Sequence, residues 1–283
     1  LICAKSNVNI LLKQIHYYNP SYACIYDSRK VDIIKSKINN NTKLITFNEL
    51  LKYLKSSSST YSVLAISGYK SLYYLDDIIG NTEHLGIASK EAIVSAGHIF
   101  TKKNYFNNTK IFPLDSEHFS LFDYLNQNNF NKSIKKITLT ASGGPFYKRK
   151  FQTLKNVKFK NAIKHPKWKM GYKNSIDSAT LVNKCLELIE AHYLFGVPFS
   201  KLNIKIHPQA LVHSIVQKDN FVFHMNLFKN DMKIPILNFL NIKYKNIDYI
   251  EKKLSIIDFK KLEFLEVKNT NFPIYNFFLK RDK

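Results

Sequence analysis

Arginine, cysteine and long apolar runs are scarce in this 283-residue chain. The 43 basic side chains outnumber the 21 acidic ones and give a formal net charge of +22, yet only Arg29, Arg149 and Arg281 are arginines. Proteins that read nucleic acids favour the bidentate guanidinium group of arginine. The scattered lysines therefore indicate attraction of small anionic substrates, and a basic nucleic-acid-binding protein is kept as an alternative.

Cys3, Cys24 and Cys185 are widely separated and odd in number, which argues against a disulfide framework or a paired-thiolate metal site. No apolar stretch approaches the roughly 18 residues of a membrane-spanning helix, and no signal-peptide pattern opens the chain. We expect a globular protein of about two domains in a reducing compartment. Because Leu1 already lies in an apolar, strand-like run, we also expect residues to precede it.

Short apolar runs alternate with helical patterns in the first 115 residues. This alternation is typical of an α/β fold with a doubly wound, Rossmann-like parallel sheet. Ligands of such a sheet bind at the carboxyl ends of its strands. The runs predict strands at 1–4, 22–26, 61–67, 85–88 and 111–114, and helices at 7–17, 48–55, 72–79 and 91–100.

The pattern changes after residue 133 to that of an α+β domain. A strand is predicted at 134–141 and a helix at about 178–195, followed by strands near Ile204, Leu211 and Phe221. The irregular stretch 142–173 between the first strand and the helix is longer than an ordinary connection. Loops of that length in compact domains often act as lids over a site.

Acidic residues mark a candidate cation site. Asp115 and Glu117 follow the strand at 111–114, and an i,i+2 pair on extended backbone directs both carboxylates to one side. A solvated strand end is the alternative interpretation. Together with Glu187 they form a possible all-oxygen triad, which suits Mg²⁺ or Mn²⁺ better than zinc.

The predicted helix at 178–195 has a polar face that could hold a phosphate and a cation together. Asn183 and Glu187 are spaced i,i+4 and Lys184 and Glu187 are spaced i,i+3, so the three side chains point the same way. We expect the opposite, buried stripe of this helix to consist of Val182, Cys185, Ile189 and Tyr193.

Two serines are candidate anion ligands. Ser178 stands where the helix is predicted to begin, so backbone N–H groups and the helix dipole favour an anion there. Simple N-capping is the alternative. Ser142 precedes Gly143 and Gly144, and glycines let backbone amides approach an oxyanion closely. A plain turn would give the same Ser-Gly-Gly pattern.

Several other polar residues stand at expected strand ends or on the lid. Lys90 and Glu91 begin a helix directly after the strand at 85–88, where cofactor and substrate would meet. His165 and Trp168 lie on the lid, where an imidazole could donate to a phosphate and an indole could exclude water. A surface position is the alternative for these residues.

These segments form an ordered set of motifs. They read Ala-Ser-Lys-Glu at 88–91, Pro-Leu-Asp-Ser-Glu-His at 113–118, Ser-Gly-Gly-Pro-Phe at 142–146, His-Pro-Lys-Trp-Lys-Met-Gly at 165–171, and Asp-Ser-Ala-Thr at 177–180 running into Asn183, Lys184 and Glu187. Taken together they resemble the 1-deoxy-D-xylulose 5-phosphate reductoisomerase family of the non-mevalonate isoprenoid pathway.

The resemblance implies a role for each motif residue. Metal ligands would be Asp115, Glu117 and Glu187, which with Lys90 make the catalytic set. Substrate phosphate would be held by Ser142, His165, Ser178, Asn183 and Lys184, while Lys90 and Ser116 would contact the substrate's oxygenated backbone and Trp168 would close over it. NADPH would lie against Asn7, Ser89, Glu91, Met170 and Gly171.

The same resemblance implies the organisation of the protein. Residues 1–115 would be a partial NADPH-binding domain without its first strand and glycine-rich loop, 116–240 a catalytic domain with a lid at about 142–173, and 241–283 a linker toward a C-terminal helical domain. The expected reaction converts 1-deoxy-D-xylulose 5-phosphate to 2-C-methyl-D-erythritol 4-phosphate in a homodimer. A cytoplasmic location is expected, with a plastid-type organelle as the alternative, and an inactive remnant that binds phosphosugar is a further possibility.

Overall fold

The computed structural model describes residues 1–38, 41–101, 109–128, 133–163, 171–240 and 261–280. Its first part alternates strands and helices as the sequence predicts. The elements are β1 (Ile2–Ala4), α1 (Val8–Tyr18), β2 (Tyr22–Ile25), α2 (Val31–Lys35), β3 (Lys43–Ile45), α3 (Phe47–Ser56), β4 (Ser59–Leu64), α4 (Leu72–Ile79), β5 (Thr82–Ile87), α5 (Lys90–Phe100) and β6 (Lys110–Pro113).

These strands pair in parallel within two three-stranded sheets, in the orders β1-β2-β3 and β4-β5-β6. Local sequence explains several helix starts. Asn7 caps α1, and Thr46 and Glu49 form a capping box at the start of α3. The expected parallel α/β architecture is confirmed. Helix α2 and strand β3 were not predicted, because elements of five and three residues carry too little periodicity to recognise.

The second part builds one mixed sheet. Its elements are α6 (Ser116–Asn128), β7 (Ile134–Ala141), α7 (Phe159–Ala162), α8 (Tyr172–Ala179), α9 (Val182–Phe195), β8 (Leu202–Ile206), β9 (Val212–Lys218), β10 (Phe223–Leu227), α10 (Lys233–Phe239), β11 (Leu265–Glu266) and α11 (Pro273–Lys280). The strand order is β10-β9-β7-β8-β11, with β7 parallel to β8 and antiparallel to β9.

The largest core lies between this sheet and helices α6 and α9. Leu121 of α6, Leu188 of α9 and Ile137 of β7 are each at most 1% exposed. Each aliphatic side chain buried in this way contributes about 1.5–3 kcal/mol relative to exposure. The core therefore fixes the two helices that carry the acidic residues on a common support.

The helix predicted at 178–195 is in fact two helices. Leu181 has a φ of 66°, in the left-handed region, and breaks the chain between α8 and α9. Ser178 consequently lies in the last turn of α8, and the expectation that it begins a helix is wrong. Its backbone N–H is engaged in the helix, so the dipole argument for an anion at Ser178 does not apply.

The predicted buried stripe of that helix is also wrong in part. Cys185 is buried, but Val182, Ile189 and Tyr193 are only partly buried. Helix α9 instead buries several side chains of the polar face, because opposite charges on neighbouring elements compensate one another there. Among its buried residues are Lys184, Glu187 and Glu190, together with Leu188 and Ala191.

The linker expected at 241–283 differs from what the structure describes. Residues 241–260 and 281–283 lie outside the described part. Between them, β11 pairs with β8, and Phe272 and Tyr275 are buried in the core of the mixed sheet. Residues 261–280 thus belong to the sheet domain. No described helix is long and apolar enough to span a bilayer.

Candidate functional site

Three carboxylates from two separate stretches of sequence meet at one point. Asp115 follows β6, Glu117 lies in the first turn of α6, and Glu187 lies on α9. One carboxylate oxygen from each residue lies within 4.8 Å of the other two. The structure therefore brings together the three acids that the sequence singled out.

The local geometry at Asp115 differs from the predicted extended pair. Helix α6 begins at Ser116, and the backbone N–H of His118 donates to Asp115 Oδ1 at 2.7 Å. Asp115 thus caps the helix and Glu117 projects from its first turn. The hydroxyl of Ser116 donates to Glu117 Oε2 at 2.6 Å. Helix geometry, with tertiary packing, brings these carboxylates to the same side.

Two lysines stand among the carboxylates, Lys184 buried and Lys90 partly buried. Lys90 Nζ donates to Glu187 Oε1 at 2.7 Å and lies 3.8 Å from Asp115 Oδ2. Lys184 Nζ lies 3.0 Å from Glu117 Oε1 and 2.5 Å from Glu187 Oε2. Burial by itself lowers the pKa of both ammonium groups, but the facing carboxylates reverse this and raise the pKa of each above its ordinary value. Both lysines are therefore charged.

Neighbouring cationic groups also keep Asp115 and Glu117 ionised. Burial opposes ionisation of Asp115, but the neighbouring His118 lowers the pKa of Asp115 to about 2. Burial likewise opposes ionisation of Glu117, and Lys184 and His213 hold its pKa well below the ordinary value. Anionic carboxylates are thus available to a cation at neutral pH.

His118, a motif residue with no role predicted from the sequence, contacts both Asp115 and Glu187. Its ring is fully buried. Nδ1 lies 2.7 Å from Asp115 Oδ1 and Nε2 lies 2.8 Å from the carbonyl oxygen of Glu187. Both partners are acceptors, so both ring nitrogens carry protons. Burial opposes this charge, but Asp115 and Glu190 raise the pKa of His118 to about 10.

Glu190 and His213 also lie beside the carboxylate site, and neither was predicted from the sequence. Glu190 Oε2 lies 3.2 Å from His118 Nδ1, and burial raises the pKa of Glu190 to about 8. His213 Nδ1 lies 3.8 Å from Glu117 Oε1, while its Nε2 contacts the carbonyl of Phe228 at 3.1 Å. His118 could have been found from its i,i+3 spacing to Asp115. Nothing local in the sequence points from His213 to Glu117.

The donor set fits a hard divalent cation. All three carboxylates offer oxygen, the ligand atom that Mg²⁺ and Mn²⁺ prefer. Asp115 Oδ2 is buried and accepts no hydrogen bond from the residues that the structure describes. A buried acceptor of this kind is costly unless a ligand or ion satisfies it. Asp115, Glu117 and Glu187 are therefore the residues that could hold such an ion.

Candidate phosphate-binding residues border the same site. Asn183 Nδ2 donates to Glu187 Oε1 at 2.5 Å. Gly143 and Gly144 have φ values of +83° and +61°, so the turn after Ser142 uses backbone conformations that favour glycine. A Cβ on Gly144 would lie 2.9 Å from the carbonyl oxygen of Ser178, so this turn packs directly against the end of α8.

The cofactor candidates lie in two places. Ser89 is 4% exposed, and its hydroxyl lies 3.1 Å from that of Ser71 and 3.2 Å from Glu91 Oε2. Lys173 Nζ lies 2.9 Å from Glu91 Oε1, which brings Glu91 close to the segment that Gly171 begins. The hydroxyl of Ser89 thus contacts Glu91 as well as Ser71.

Asn7 lies apart from this group. It caps α1 by accepting from the backbone N–H of Ile10, and it lines a cavity of about 360 Å³ with Ser6, Val8, Asn9 and Lys30. The cavity stands just after β1, at the carboxyl end of a parallel strand where nucleotides commonly bind. His165, Trp168 and Met170 lie outside the described residues, and their roles stay predictions.

Comparisons with known proteins agree on one family. A family model described as 1-deoxy-D-xylulose 5-phosphate reductoisomerase matches residues 1–97, and one described as the C-terminal domain of that enzyme matches residues 111–195. A protein of that name from Thermodesulfovibrio yellowstonii is 39% identical over 83% of this chain and 61% of its own length. One from Lachnoclostridium phytofermentans is 35% identical over 96% of this chain and 70% of its own length.

Solved structures show the same likeness. A crystal structure of DOX-P reductoisomerase in complex with NADPH, fosmidomycin and magnesium superposes with a TM-score of 0.86 at 29% identity. The match covers 99% of this chain and 71% of that one. The chain thus spans about two thirds of the length of the proteins it matches.

Proposed function

Because this chain belongs to the 1-deoxy-D-xylulose 5-phosphate reductoisomerase family, we propose that it serves the reaction of that family. The reaction rearranges 1-deoxy-D-xylulose 5-phosphate and reduces the product with NADPH to 2-C-methyl-D-erythritol 4-phosphate. One observation carries the proposal. One oxygen each of Asp115, Glu117 and Glu187 converge within 4.8 Å, beside the ammonium groups of Lys90 and Lys184.

In this proposal Asp115, Glu117 and Glu187 hold a divalent cation. A bound Mg²⁺ or Mn²⁺ supplies Lewis-acid polarisation of the substrate's carbonyl and hydroxyl oxygens, and NADPH supplies the hydride. The protein keeps Asp115 and Glu117 anionic through His118 and Lys184, which contact them, and Lys90 donates to Glu187. Because these contacts exist before a ligand arrives, the site needs little reorganisation during the reaction.

Lys90 has two tasks in the proposed site. Its ammonium group holds Glu187 at 2.7 Å, and it contacts a substrate oxygen where negative charge develops during carbon–carbon cleavage. Ser116 contacts the same oxygenated backbone of the substrate from the first residue of α6. The low exposure of Lys90, 15% for its side chain, strengthens such an interaction by excluding water.

The phosphate group is proposed to bind between Asn183 and Lys184 on one side and Ser142 and Ser178 on the other. The glycine turn after Ser142 packs on Ser178, which supports a common pocket for the two serines. Phosphate bound away from the reacting carbons orients the substrate and helps to close a lid that carries His165 and Trp168. Each of these four ligands donates hydrogen bonds, as a phosphate requires.

The cofactor is proposed to lie along the carboxyl ends of the parallel strands. Asn7, Ser89, Glu91, Met170 and Gly171 are the residues assigned to it. The cavity lined by Asn7 and the Glu91–Lys173 pair support this placement. In the corresponding domain arrangement, residues 1–115 bind NADPH, 116–240 bind cation and substrate, and 261–280 complete the mixed sheet.

A homodimer is proposed as the assembly. The outermost described strand of the mixed sheet, β10, exposes Phe223, Met225 and Leu227 at alternate positions on one face. A row of exposed apolar side chains on a sheet commonly marks a protein interface. A cytoplasmic location fits the bacterial relatives, and a plastid-type organelle is the alternative.

The proposal is tested by following NADPH absorbance of the full-length protein with 1-deoxy-D-xylulose 5-phosphate and Mg²⁺ or Mn²⁺. We expect turnover that chelation of the cation abolishes. Glu187→Gln keeps the size of the side chain and removes its charge, so kcat should fall by about 100-fold or more. The matched control is Glu83→Gln, at an exposed position of β5, which should retain full activity.

Failure of the full-length protein to oxidise NADPH with substrate and cation would refute the proposed activity. Calorimetric binding of substrate without turnover would then favour the phosphosugar-binding remnant. Salt-dependent retention of RNA or DNA in a gel shift, again without turnover, would favour the nucleic-acid alternative.

A further inference from the structure

Helices α5 and α9 pack against each other, and two of their contacts lie about two helical turns apart. At the first, Lys90 Nζ donates to Glu187 Oε1 at 2.7 Å. At the second, Gly97 of α5 faces the ring of Tyr193 on α9. Lys90 and Gly97 differ by seven positions on α5, which is kinked at Ala96, and Glu187 and Tyr193 differ by six positions on α9. These spacings correspond to about 10 Å and about 9 Å of helix. Two such contacts fix how one helix lies on the other.

The contact at Gly97 leaves no room for a side chain. A Cβ built there would lie 1.9 Å from Cδ2 and 2.0 Å from Cγ of Tyr193. Gly97 is not among the glycines with positive φ, so backbone conformation does not call for glycine at this position. Glycine is unfavourable inside a helix relative to alanine. The close approach of Tyr193 is therefore the physical reason for glycine here.

Tyr193 also packs against a hydrophobic core. This core contains Leu64, Leu85 and Ile93. Ring atoms near the Cβ of a packed tyrosine cannot yield as the end of a flexible chain can. Helix α5 itself departs from helical geometry at Ala96, with φ −116° and ψ 15°, immediately before Gly97.

We propose that the Gly97–Tyr193 contact is a packing pivot that sets the position of Lys90 in the site, which makes Gly97 a positioning residue for the reaction. The inference rests on the proposed function for the role of Lys90. Lys90 is the first residue of α5, so a shift of the helix at the pivot moves its ammonium group relative to Glu187. Misplacement of a reacting group by about 1 Å can cost about 100-fold in rate.

The test compares Gly97→Ala with Gly80→Ala in the full-length protein. Gly80 is the matched control, because a Cβ there meets nothing within 4 Å. We expect kcat/KM of Gly97→Ala to fall by about 10- to 100-fold, and that of Gly80→Ala to stay within about twofold of the wild type. In Lys90→Ala protein, Gly97→Ala should cause little further loss, because both changes act through one group.

A second measurement needs no turnover. Acylation of lysines by an amine-reactive ester, followed by mass spectrometry, reports how well each ammonium is buried and paired. Lys90 should label several-fold faster in Gly97→Ala, whereas Lys184, buried between Glu117 and Glu187, should stay protected. An equal increase in the labelling rates of Lys90 and Lys184 would indicate general loosening of the structure and would overturn the pivot.

Tyr193→Ala serves two purposes. It tests for rescue of Gly97→Ala, and it replaces Gly97→Ala as the test if that variant does not fold. Combined with Gly97→Ala it removes the clashing ring, and we expect it to recover a large part of the lost kcat/KM. If Gly97→Ala alone does not fold, Tyr193→Ala alone should loosen the pivot and lower kcat/KM severalfold, with no such loss in Lys90→Ala protein. If the wild type is active, an unchanged kcat/KM in Gly97→Ala or, where that variant does not fold, in Tyr193→Ala would refute the pivot. An inactive wild type would instead refute the proposed function.

Discussion

Lys184 Nζ lies 2.5 Å from Oε2 of Glu187, one turn away on α9, and both side chains are almost fully buried. The same ammonium lies 3.0 Å from Glu117 on α6. One lysine thus lies between two carboxylates, the buried Glu187 and the partly buried Glu117, that would otherwise repel each other. A divalent cation bound by these acids would serve the same electrostatic purpose.

Replacement of Lys184 by methionine should therefore make stability depend strongly on the cation. Breaking a buried ion pair leaves an uncompensated charge and costs roughly 3–5 kcal/mol. We expect Lys184→Met to lose about this much free energy of unfolding in urea when divalent ions are chelated. Saturating Mg²⁺ should restore more stability to the variant than to the wild type.

The control for this experiment is Lys70→Met, which removes an exposed lysine and should leave both measurements unchanged. If Mg²⁺ stabilised Lys184→Met no more than the wild type, the view that lysine and cation neutralise the same carboxylates would be contradicted.

The contribution of His118 to stability should depend on pH. Its pKa is raised from 6.5 to about 10 in the folded protein. A group whose folded pKa is raised stabilises fully below its unfolded pKa, and the contribution disappears as pH rises through the folded pKa. The difference in unfolding free energy between wild type and His118→Gln, measured without divalent ions, should thus be greatest near pH 6 and shrink toward pH 10.

Urea unfolding at several pH values provides the measurement, and His98→Gln, at an exposed position of α5, is the control with little effect. A wild-type advantage that grew with pH over this range would contradict a buried, doubly protonated His118.

The turn after Ser142 should be sensitive to its glycines. Gly144 has a φ of +61°, and a Cβ there would press on the carbonyl of Ser178 at 2.9 Å. Left-handed backbone costs a non-glycine residue about 1–2 kcal/mol. We expect Gly144→Ala to displace Ser142 from Ser178 and to raise the KM for the phosphosugar by about tenfold, with a smaller change in kcat.

Steady-state kinetics with varied substrate measures this change, and Gly80→Ala, which adds a methyl group in open space, is again the control. A lower kcat at unchanged KM would show that the turn after Ser142 does not contribute to phosphate binding.

Much of the fold and of the candidate site followed from the sequence. The parallel α/β part and the family are confirmed, because alternating hydrophobic patterns and motif spacing are local properties. Asp115, Glu117 and Glu187 were chosen as residue types suited to a hard cation, and the structure places their oxygens within 4.8 Å. Their role as metal ligands stays a prediction.

Other features could not be read from the chain. The break at Leu181 moved Ser178 from the start of one helix to the end of another, because a left-handed leucine leaves no local signal. His213 reaches Glu117 from β9, which only the pairing of distant strands can bring about. Glu190 would be taken for a surface residue on pattern alone, since glutamate is seldom buried.

The sequence by itself determined which chemistry the protein can present: oxygen donors for a cation, amine and amide donors for an anion, and parallel strands that end in polar turns. Tertiary structure alone decided that Lys90 and Glu187, 97 residues apart, would share a hydrogen bond, and that the surrounding charges would be buried together. The physical reason is that local patterns set backbone conformation over a few residues. The packing of α5, α6 and α9 sets distances between residues that are remote in the chain.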